Sequence, residues 1–310
     1  MHALVLGVTG MLGSMVYDYL SRNPAIRVMG TARIPDSRSR TALGREFAFD
    51  AAGDIPQQLE PILATFRPDY VINCIGIINI HCRDSDPAGV LLAVRVNALF
   101  PHLLSDLLRR AQPGTKVLHI TTDCVFSGRT GHYDESALHD ATDMYGKSKS
   151  LGEVQADSWL NLRCSIVGPE PYGRNSLLEW FLRHPPETAI NGFSHHLWNG
   201  VSTLQYAKFF EEIIIQDDFD RLRGMSHTLH YAPNEAVTKC ELLELFNEVF
   251  ARRCRIERVA APGPPVDRTL VSNHLRLRLN PMGNAIRELK DYCDRVSFGF
   301  AATLDATNRH

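Results

Sequence analysis

The sequence has few of the features that mark secreted, membrane or nucleic-acid-binding proteins. Its seven cysteines are scattered and odd in number, and none forms a Cys-x-x-Cys pair. This pattern argues against a disulfide framework or a zinc site and favours reduced thiols in a cytoplasm. Lysine and arginine (33) nearly balance aspartate and glutamate (35), so the net charge of −2 gives no reason to expect a nucleic-acid partner.

Long hydrophobic runs are also missing. The longest, at residues 70–80, is interrupted by Asn73, Gly76 and Asn79, and it is shorter than the roughly 20 residues that cross a bilayer. The N-terminal residues show neither a basic leader nor a small-residue cleavage site, so we expect a cytoplasmic protein with no membrane partner. With 310 residues, 44% of them apolar, the chain can bury a substantial core.

Short apolar runs alternate with helical patterns in the first half of the chain. After a predicted strand at 3–6, one face of a helix is formed by Leu12, Met15, Val16, Tyr19 and Leu20. Further strands are predicted at 27–31, 47–49, 70–75 and 117–121, and helices at 57–66 and 90–110. This alternation predicts an α/β fold, a doubly wound parallel sheet of the Rossmann type.

The second half of the chain breaks this rhythm. Prolines interrupt it at 169–186, helix-like stretches follow at 204–215 and 237–250, and residues 261–265 are rich in proline and glycine. We therefore predict a dinucleotide-binding domain over 1–165 with a return segment near 199–230. A smaller C-terminal substrate-binding domain would comprise 166–198 and 231–310.

A glycine-rich loop lies between the first strand and the first helix. It reads Gly7-Val8-Thr9-Gly10-Met11-Leu12-Gly13. Glycines there permit a tight turn and the close approach of a pyrophosphate to the helix N-terminus. The spacing is not the commoner Gly-x-Gly-x-x-Gly, and a purely structural turn is the alternative, but the strand-loop-helix context favours a dinucleotide site.

The end of the second strand indicates which dinucleotide. NAD sites usually place an acid about 20 residues beyond the glycines, where this chain has Arg33, with Arg38 and Arg40 nearby. A guanidinium attracts a 2′-phosphate, which favours NADPH. NADH stays open, because Asp36 could reach a ribose and the basic residues could be a solvated loop.

Tyr145 and Lys149 lie one helical turn apart. A phenol has a pKa near 10 and is a poor proton donor or acceptor at neutral pH, and a nearby ammonium should lower that pKa towards the working range. Upstream, the predicted strand at 117–121 runs into hydroxyls at Thr121 and Thr122, and ligands in such sheets bind beyond the carboxyl ends of the strands. Tyr-x-x-x-Lys alone is common on helix surfaces, but the combination with a strand-end hydroxyl and a glycine loop is far more specific.

These motifs together resemble the extended short-chain dehydrogenase/reductase family, in particular its dTDP-4-dehydrorhamnose reductase branch. The matching stretches are 7–13, Asn97 in its Val-Asn-Ala context, 121–128, 145–153 and 162–165. The resemblance covers roughly the first 170 residues well and the rest loosely. It implies an oxidoreductase in which NADPH supplies a hydride and Tyr145 a proton to the ketone of a nucleotide-linked 4-keto-6-deoxysugar.

The resemblance also assigns residues. Thr122, Tyr145 and Lys149 would be catalytic, Lys149 would bond the nicotinamide ribose, and Asn97 would support a water relay or hold the helix. The cofactor groove would include Asp50 near the adenine and a wall of Asn73, Cys74, Ile75 and Gly76, in which Ile75 replaces a small residue. Substrate contacts would come from Asp123, Phe126, Ser165 and the 194–203 segment with Trp198, although such aromatics are more often core residues.

Other activities of the same superfamily stay open at this point. Dehydratases follow the strand-end Thr with Asp-Glu, whereas here Cys124 follows Asp123, and epimerases tend to have Ser-Ser in place of Thr121-Thr122. Both comparisons favour simple ketone reduction. A non-catalytic NADP-binding regulatory subunit, as in the methionine adenosyltransferase partner protein, is the alternative. No metal site is predicted, since His195-His196 has no third ligand, and monomer and homodimer are not distinguished.

Overall fold

The structure is a computed structural model that describes residues 1–33, 46–172, 175–260 and 263–300. Helices and strands alternate along the first half. The strands are β1 (His2–Leu6), β2 (Arg27–Ala32), β3 (Glu46–Ala48), β4 (Tyr70–Asn73), β5 (Lys116–Thr122), β6 (Trp159–Cys164), β7 (Ile166–Val167), β8 (Ala189–Phe193), β9 (His196–Trp198), β10 (Val201–Ser202), β11 (Thr228–His230), β12 (Val237–Thr238), β13 (Arg255–Val259) and β14 (Val266–Asp267). The helices are α1 (Met11–Ser21), α2 (Ile55–Phe66), α3 (Pro87–Ala93), α4 (Phe100–Ala111), α5 (Met144–Leu151), α6 (Leu177–Leu182), α7 (Thr203–Ile215), α8 (Phe219–Met225), α9 (Lys239–Val249) and α10 (Met282–Val296).

Within the described residues, seven strands form one sheet in the order β11-β6-β5-β4-β1-β2-β3. Every neighbouring pair is parallel. The register sets Leu6 of β1 beside Asn73 of β4, and Thr122 of β5 beside Cys164 of β6. The doubly wound α/β fold predicted from the sequence is therefore confirmed, and the carboxyl ends of the central strands share one edge.

Strand β1 shows why the sheet is covered on both faces. Ala3 and Val5 belong to the hydrophobic cluster that contains residues of α1 and α7, whereas Leu4 and Leu6 belong to the cluster that contains residues of α2 and α4. Successive side chains of a strand point to opposite faces, so an unbroken apolar run buries both.

The C-terminal half contributes both to this sheet and to small strand pairs above its edge. The segment that carries α7 and α8 leads into β11, which pairs with β6, as the predicted return segment would require. The short strands form the groups β10-β7, β12-β9-β14 and β13-β8. The boundary at residue 165 stays a prediction.

Several elements differ by a few residues from the sequence-based bounds, and two of the differences are informative. Strand β4 ends at Asn73 and not at residue 75, because the Asn73 side chain accepts a hydrogen bond from the Ile75 amide and the chain turns there (3.1 Å). The helix predicted at 90–110 spans Pro87–Ala111 and widens into a π-helical turn at Val94–Leu99. By length and composition this helix could cross a membrane, but it is partly buried against the sheet, as core helices of soluble proteins are.

Candidate active site

The glycine loop has the geometry of an anion cradle. Gly7 has φ +85°, in the left-handed region that favours glycine, and a Cβ at Gly13 would lie 2.1 Å from the Gly7 carbonyl oxygen. The N-cap of α1 is Gly10, so no side chain caps the helix, and its first turn carries no acidic residue. The amides of Met11 and Leu12 therefore begin a helix whose positive end is open to an anion, with Thr9 alongside.

The wall opposite the loop comes from the turn after β4. The Asn73 amide is held by His119 on β5 (Nδ2 to Nδ1, 3.0 Å), and Cys74 lies close to Gly13, with its Cβ 3.3 Å from where a Gly13 Cβ would be. Ile75 fills the space that the missing Gly7 side chain leaves, since its Cγ1 would lie 2.8 Å from a Cβ there. The large Ile75 side chain is thus accommodated by Gly7, and Gly76 follows it exposed.

The residues predicted to contact the adenosine end of the dinucleotide follow the next two strands, β2 and β3. Arg33 is exposed directly after β2, and Asp50 is exposed two residues after β3. The Asp50 carboxylate accepts the Ala52 amide (2.9 Å). Asp36, Arg38 and Arg40 lie outside the described residues.

Thr122 and Tyr145 meet at the carboxyl end of β5. Asp143 caps the N-terminus of α5 through the Gly146 amide (2.8 Å), which places Tyr145 in the first turn, close enough to Thr122 for the two hydroxyls to interact. Thr122 also accepts the Cys124 amide (3.1 Å). A strand-end hydroxyl and a helical phenol therefore converge on one point.

The electrostatics of Tyr145 differ from the sequence-based expectation. Burial raises the pKa of Tyr145, and the nearby Cys124 and Asp123 act in the same direction, against a lowering by the Thr122 hydrogen bond. The expected lowering of the Tyr145 pKa by Lys149 is wrong, since Lys149 is not among the groups that shift this pKa. Spacing places both side chains on one face of a helix, but burial determines the balance of these effects.

Lys149 is anchored to the central sheet. Its ammonium donates to the Ile120 carbonyl oxygen of β5 (2.8 Å) and lies near a built Gly76 Cβ (3.8 Å), so it faces the cofactor-side wall. Burial lowers the pKa of Lys149 to about 8, against an opposing attraction from Glu153. The ammonium is therefore charged at neutral pH but close to its titration point.

Asn97 connects the wall after β4 to helix α5. It lies in the π-helical turn, its Oδ1 accepts the Ile77 amide (2.7 Å), and its Nδ2 donates to the Ile77 carbonyl (2.9 Å) and to Ser148 of α5 (3.1 Å). A Cβ at Gly152 would lie 1.9 Å from the Asn97 carbonyl oxygen, so a glycine is needed where α5 ends against this turn. Such π-helical turns are frequent at functional sites.

The predicted substrate contacts are placed unequally. Asp123 and Trp198 are buried, and Ser165 is partly exposed between β6 and β7. The Phe126 ring has no exposed surface and stacks on Tyr133 at 4.3 Å between ring centroids, so its contact with a substrate stays a prediction. One face of Trp198 is covered by the Lys239 ammonium, 5.1 Å from the ring centroid.

Two cations next to Thr122 were missed by sequence reasoning. Lys239 begins α9, and Arg268 follows β14, where its Nε donates to the Phe126 carbonyl oxygen (2.9 Å). Both attract the Asp123 carboxylate. They come from separate parts of the loosely patterned C-terminal half, so no local motif could have indicated them. Within the described residues, no group of three or more His, Cys, Asp or Glu side chains is arranged to hold a metal.

Comparison with known proteins identifies the family. The model of the RmlD substrate binding domain matches residues 1–267. The chain belongs to this family. A dTDP-4-dehydrorhamnose reductase structure from Bacillus anthracis, in complex with NADP, superimposes with a TM-score of 0.73 at 17% identity, over 94% of this chain and 99% of that one, which confirms the fold.

Curated relatives align over part of their length only. The probable low-salt glycan biosynthesis reductase Agl14 of Haloferax volcanii is 30% identical over 173 residues, 54% of each chain. Methionine adenosyltransferase 2 subunit beta of Xenopus tropicalis is 27% identical over 151 residues, 49% of this chain and 41% of that protein. The chain thus spans about half the length of the curated relatives it matches.

Proposed function

We propose that the protein is an NADPH-dependent reductase of a nucleotide-linked 4-keto-6-deoxysugar. The observation that carries the proposal is the convergence of Thr122 and Tyr145 at the carboxyl end of β5, with Lys149 anchored on the same strand by its 2.8 Å bond to Ile120. Membership of the RmlD substrate-binding family supports the substrate class. A resemblance to known reductases first suggested the same three residues.

The glycine loop and the wall fit a dinucleotide. The uncapped N-terminus of α1 and the close approach of Gly13 to Gly7 suit a pyrophosphate, and Arg33 at the end of β2 suits a 2′-phosphate. Lys149 would bond the nicotinamide ribose, and Asn97 would hold the wall in place. The bound dinucleotide supplies a hydride, and NADH stays the alternative cofactor.

The side chains at the end of β5 supply the proton chemistry. Thr122 and Tyr145 would both hydrogen-bond the ketone oxygen, and Tyr145 would donate its proton as the oxygen gains charge. Since burial raises the pKa of Tyr145, the phenol stays protonated before reduction and is a donor from the outset. The Lys149 ammonium would stabilise the phenolate that is left.

The substitution Tyr145→Phe tests this role. We expect NADPH oxidation with dTDP-4-dehydro-6-deoxysugars to fall by at least ~100-fold, the usual scale of lost acid-base catalysis, while the Kd for NADPH stays within about twofold, since the ring is kept. Tyr70→Phe is the matched control, because it removes the same hydroxyl from a tyrosine that starts β4, where the hydroxyl donates to Asp217 (3.2 Å). Wild-type turnover in Tyr145→Phe would remove this residue from the proton path.

A second candidate is a regulatory subunit that binds NADP without turnover, which the similarity to methionine adenosyltransferase 2 subunit beta favours. The same assay separates the two. The regulatory subunit would be supported if the wild-type protein binds NADPH, if none of the 4-keto nucleotide sugars causes NADPH oxidation, and if another chain co-purifies with it. Rapid oxidation that depends on Tyr145 would support the reductase.

A further inference from the structure

A small group of charges lies next to Thr122, outside the residues already placed in the reaction. Asp123 is buried, and its carboxylate accepts a hydrogen bond from the Thr122 hydroxyl (3.2 Å). Lys239 and Arg268 both attract it, and both also influence His196. Two basic side chains from different segments therefore act on one buried carboxylate beside Thr122.

The two cations retain unused hydrogen-bonding capacity. Among the described residues, the Lys239 ammonium donates no hydrogen bond and contacts the Trp198 ring at 5.1 Å. Arg268 uses Nε for the Phe126 carbonyl (2.9 Å), and its two terminal nitrogens donate no hydrogen bond within the described part of the chain. Nε thereby fixes the guanidinium plane and leaves a fork of donors.

A cavity of about 390 Å³ adjoins this group. Arg268 and Arg129 line it, together with Asp143, which caps the catalytic helix, and the Pro264–Pro265 turn. The volume falls within the range of small-molecule sites, about 300–1,000 Å³. The cavity thus leads from the N-terminus of α5 towards the cations contributed by the C-terminal half.

Charge balance indicates the class of ligand. Desolvation lowers the pKa of Lys239, so keeping this ammonium half-buried without a hydrogen-bond partner is costly. Burial raises the pKa of Asp123, so this carboxylate offsets at most one of the two positive charges. A diphosphate offers several anionic oxygens, and an arginine fork binds phosphate by two parallel hydrogen bonds.

We propose that Arg268 and Lys239 bind the diphosphate of the nucleotide-linked substrate, with the nucleoside directed into the adjoining cavity. The inference rests on the proposed function for its substrate class. It places the diphosphate beside Asp123, so that the sugar lies over Thr122 and Tyr145. The buried Trp198 then supports Lys239 and is not a stacking face for the base.

Calorimetric titration of dTDP, without NADPH or sugar, tests the site apart from catalysis. We expect Lys239→Gln and Arg268→Gln each to raise the Kd for dTDP at least tenfold, the scale of one hydrogen bond to a charged group. The Kd for NADPH should stay within about twofold, because neither side chain faces the glycine loop. Thymidine should bind weakly to every form of the protein, since it has no diphosphate.

Two further variants keep the result interpretable. Arg258→Gln is the charge-matched control, because Arg258 is exposed and makes only a long ion pair with Glu241 (3.8 Å). The affinity of this variant for dTDP should equal that of the wild type. Lys239→Met retains the packing on Trp198, so a loss of dTDP binding with an unchanged melting temperature would exclude mere misfolding. Unaltered dTDP affinity in both Lys239 and Arg268 variants would overturn the inference.

The outcomes also separate this inference from the proposed function. If dTDP binding depends on Lys239 and Arg268 but no 4-keto sugar is reduced, the diphosphate site stands and the reductase proposal fails. If turnover depends on Tyr145 while dTDP binding ignores both cations, the reductase stands and this site is wrong.

Discussion

The substitution Gly13→Ala tests whether the first helix is built against the glycine loop. A Cβ at Gly13 would lie 2.1 Å from the Gly7 carbonyl oxygen and 2.8 Å from the Gly7 carbonyl carbon. Both are backbone atoms, so no side chain can rotate away. Real Cβ atoms essentially never come closer than 3.0 Å, so α1 and the loop must move apart by nearly an ångström.

The cost can be set against the gain. Overpacking of this kind costs about 1–3 kcal/mol, while replacing glycine by alanine inside a helix recovers about 0.5–1 kcal/mol. Because α1 packs on the sheet and on α7, the displacement is resisted from two sides. Domains of 150–250 residues lose about 2–4 °C of melting temperature per kcal/mol, and a 310-residue chain lies at the low end. Because both clashing atoms belong to the backbone, the upper part of the cost range applies and the net loss is about 1–2 kcal/mol. We expect Gly13→Ala to melt roughly 2–4 °C below the wild type.

Gly10→Ala is the control within the same motif. Gly10 has φ −80° and ψ 165°, a conformation open to any residue, and its built Cβ meets only the Gly7 carbonyl oxygen, at 3.5 Å. The free energy of unfolding of Gly10→Ala should stay within about 0.5 kcal/mol of the wild-type value. Thermal unfolding without added cofactor measures both variants. Equal shifts in the two variants would show that the loop is not packed as described.

Two further predictions concern buried polar groups. Burial, assisted by repulsion from Arg163, lowers the pKa of His230 from 6.5 to about 4. The folded protein therefore takes up fewer protons than the unfolded chain between these values, and stability falls as the pH drops through this window. Between pH 7.5 and pH 5, the decrease in the free energy of unfolding, measured with urea, should be about 2 kcal/mol smaller in His230→Asn than in the wild type. An unchanged pH dependence would contradict this. Asn97→Ala should remove the hydrogen bond from the Ile77 amide to Asn97 Oδ1 (2.7 Å). Hydrogen exchange of the Ile77 amide should then accelerate at least tenfold, and continued protection would show that another group holds the turn.

The sequence predicted those parts of the fold that have local causes. The strand-loop-helix unit at the N-terminus follows from three local signals: an apolar strand, glycines that permit a tight turn, and an amphipathic helix. By contrast, strand β4 ends early because the Asn73 side chain turns back on the Ile75 amide. A single side-chain hydrogen bond of this kind has no periodic signature.

The candidate site shows the same division. The spacing of Tyr145 and Lys149 correctly places them on one helix face, but it does not say where each side chain goes. The Lys149 ammonium is held by the Ile120 carbonyl, and burial controls the phenol. Both effects depend on how deeply α5 packs against β5, which is a tertiary property.

Lys239 and Arg268 illustrate what remains beyond a sequence. Each directly follows a two-residue strand, Lys239 after β12 and Arg268 after β14, and strands that short carry no alternation to detect. Their convergence on Asp123 requires the β12-β9-β14 sheet to fold over the end of β5. The residues proposed for catalysis thus lie in contiguous motifs, whereas the residues proposed to select the substrate come together only once the C-terminal half has docked. Substitutions in the motifs should therefore change chemistry, and substitutions around β14 and α9 should change which ligand is held.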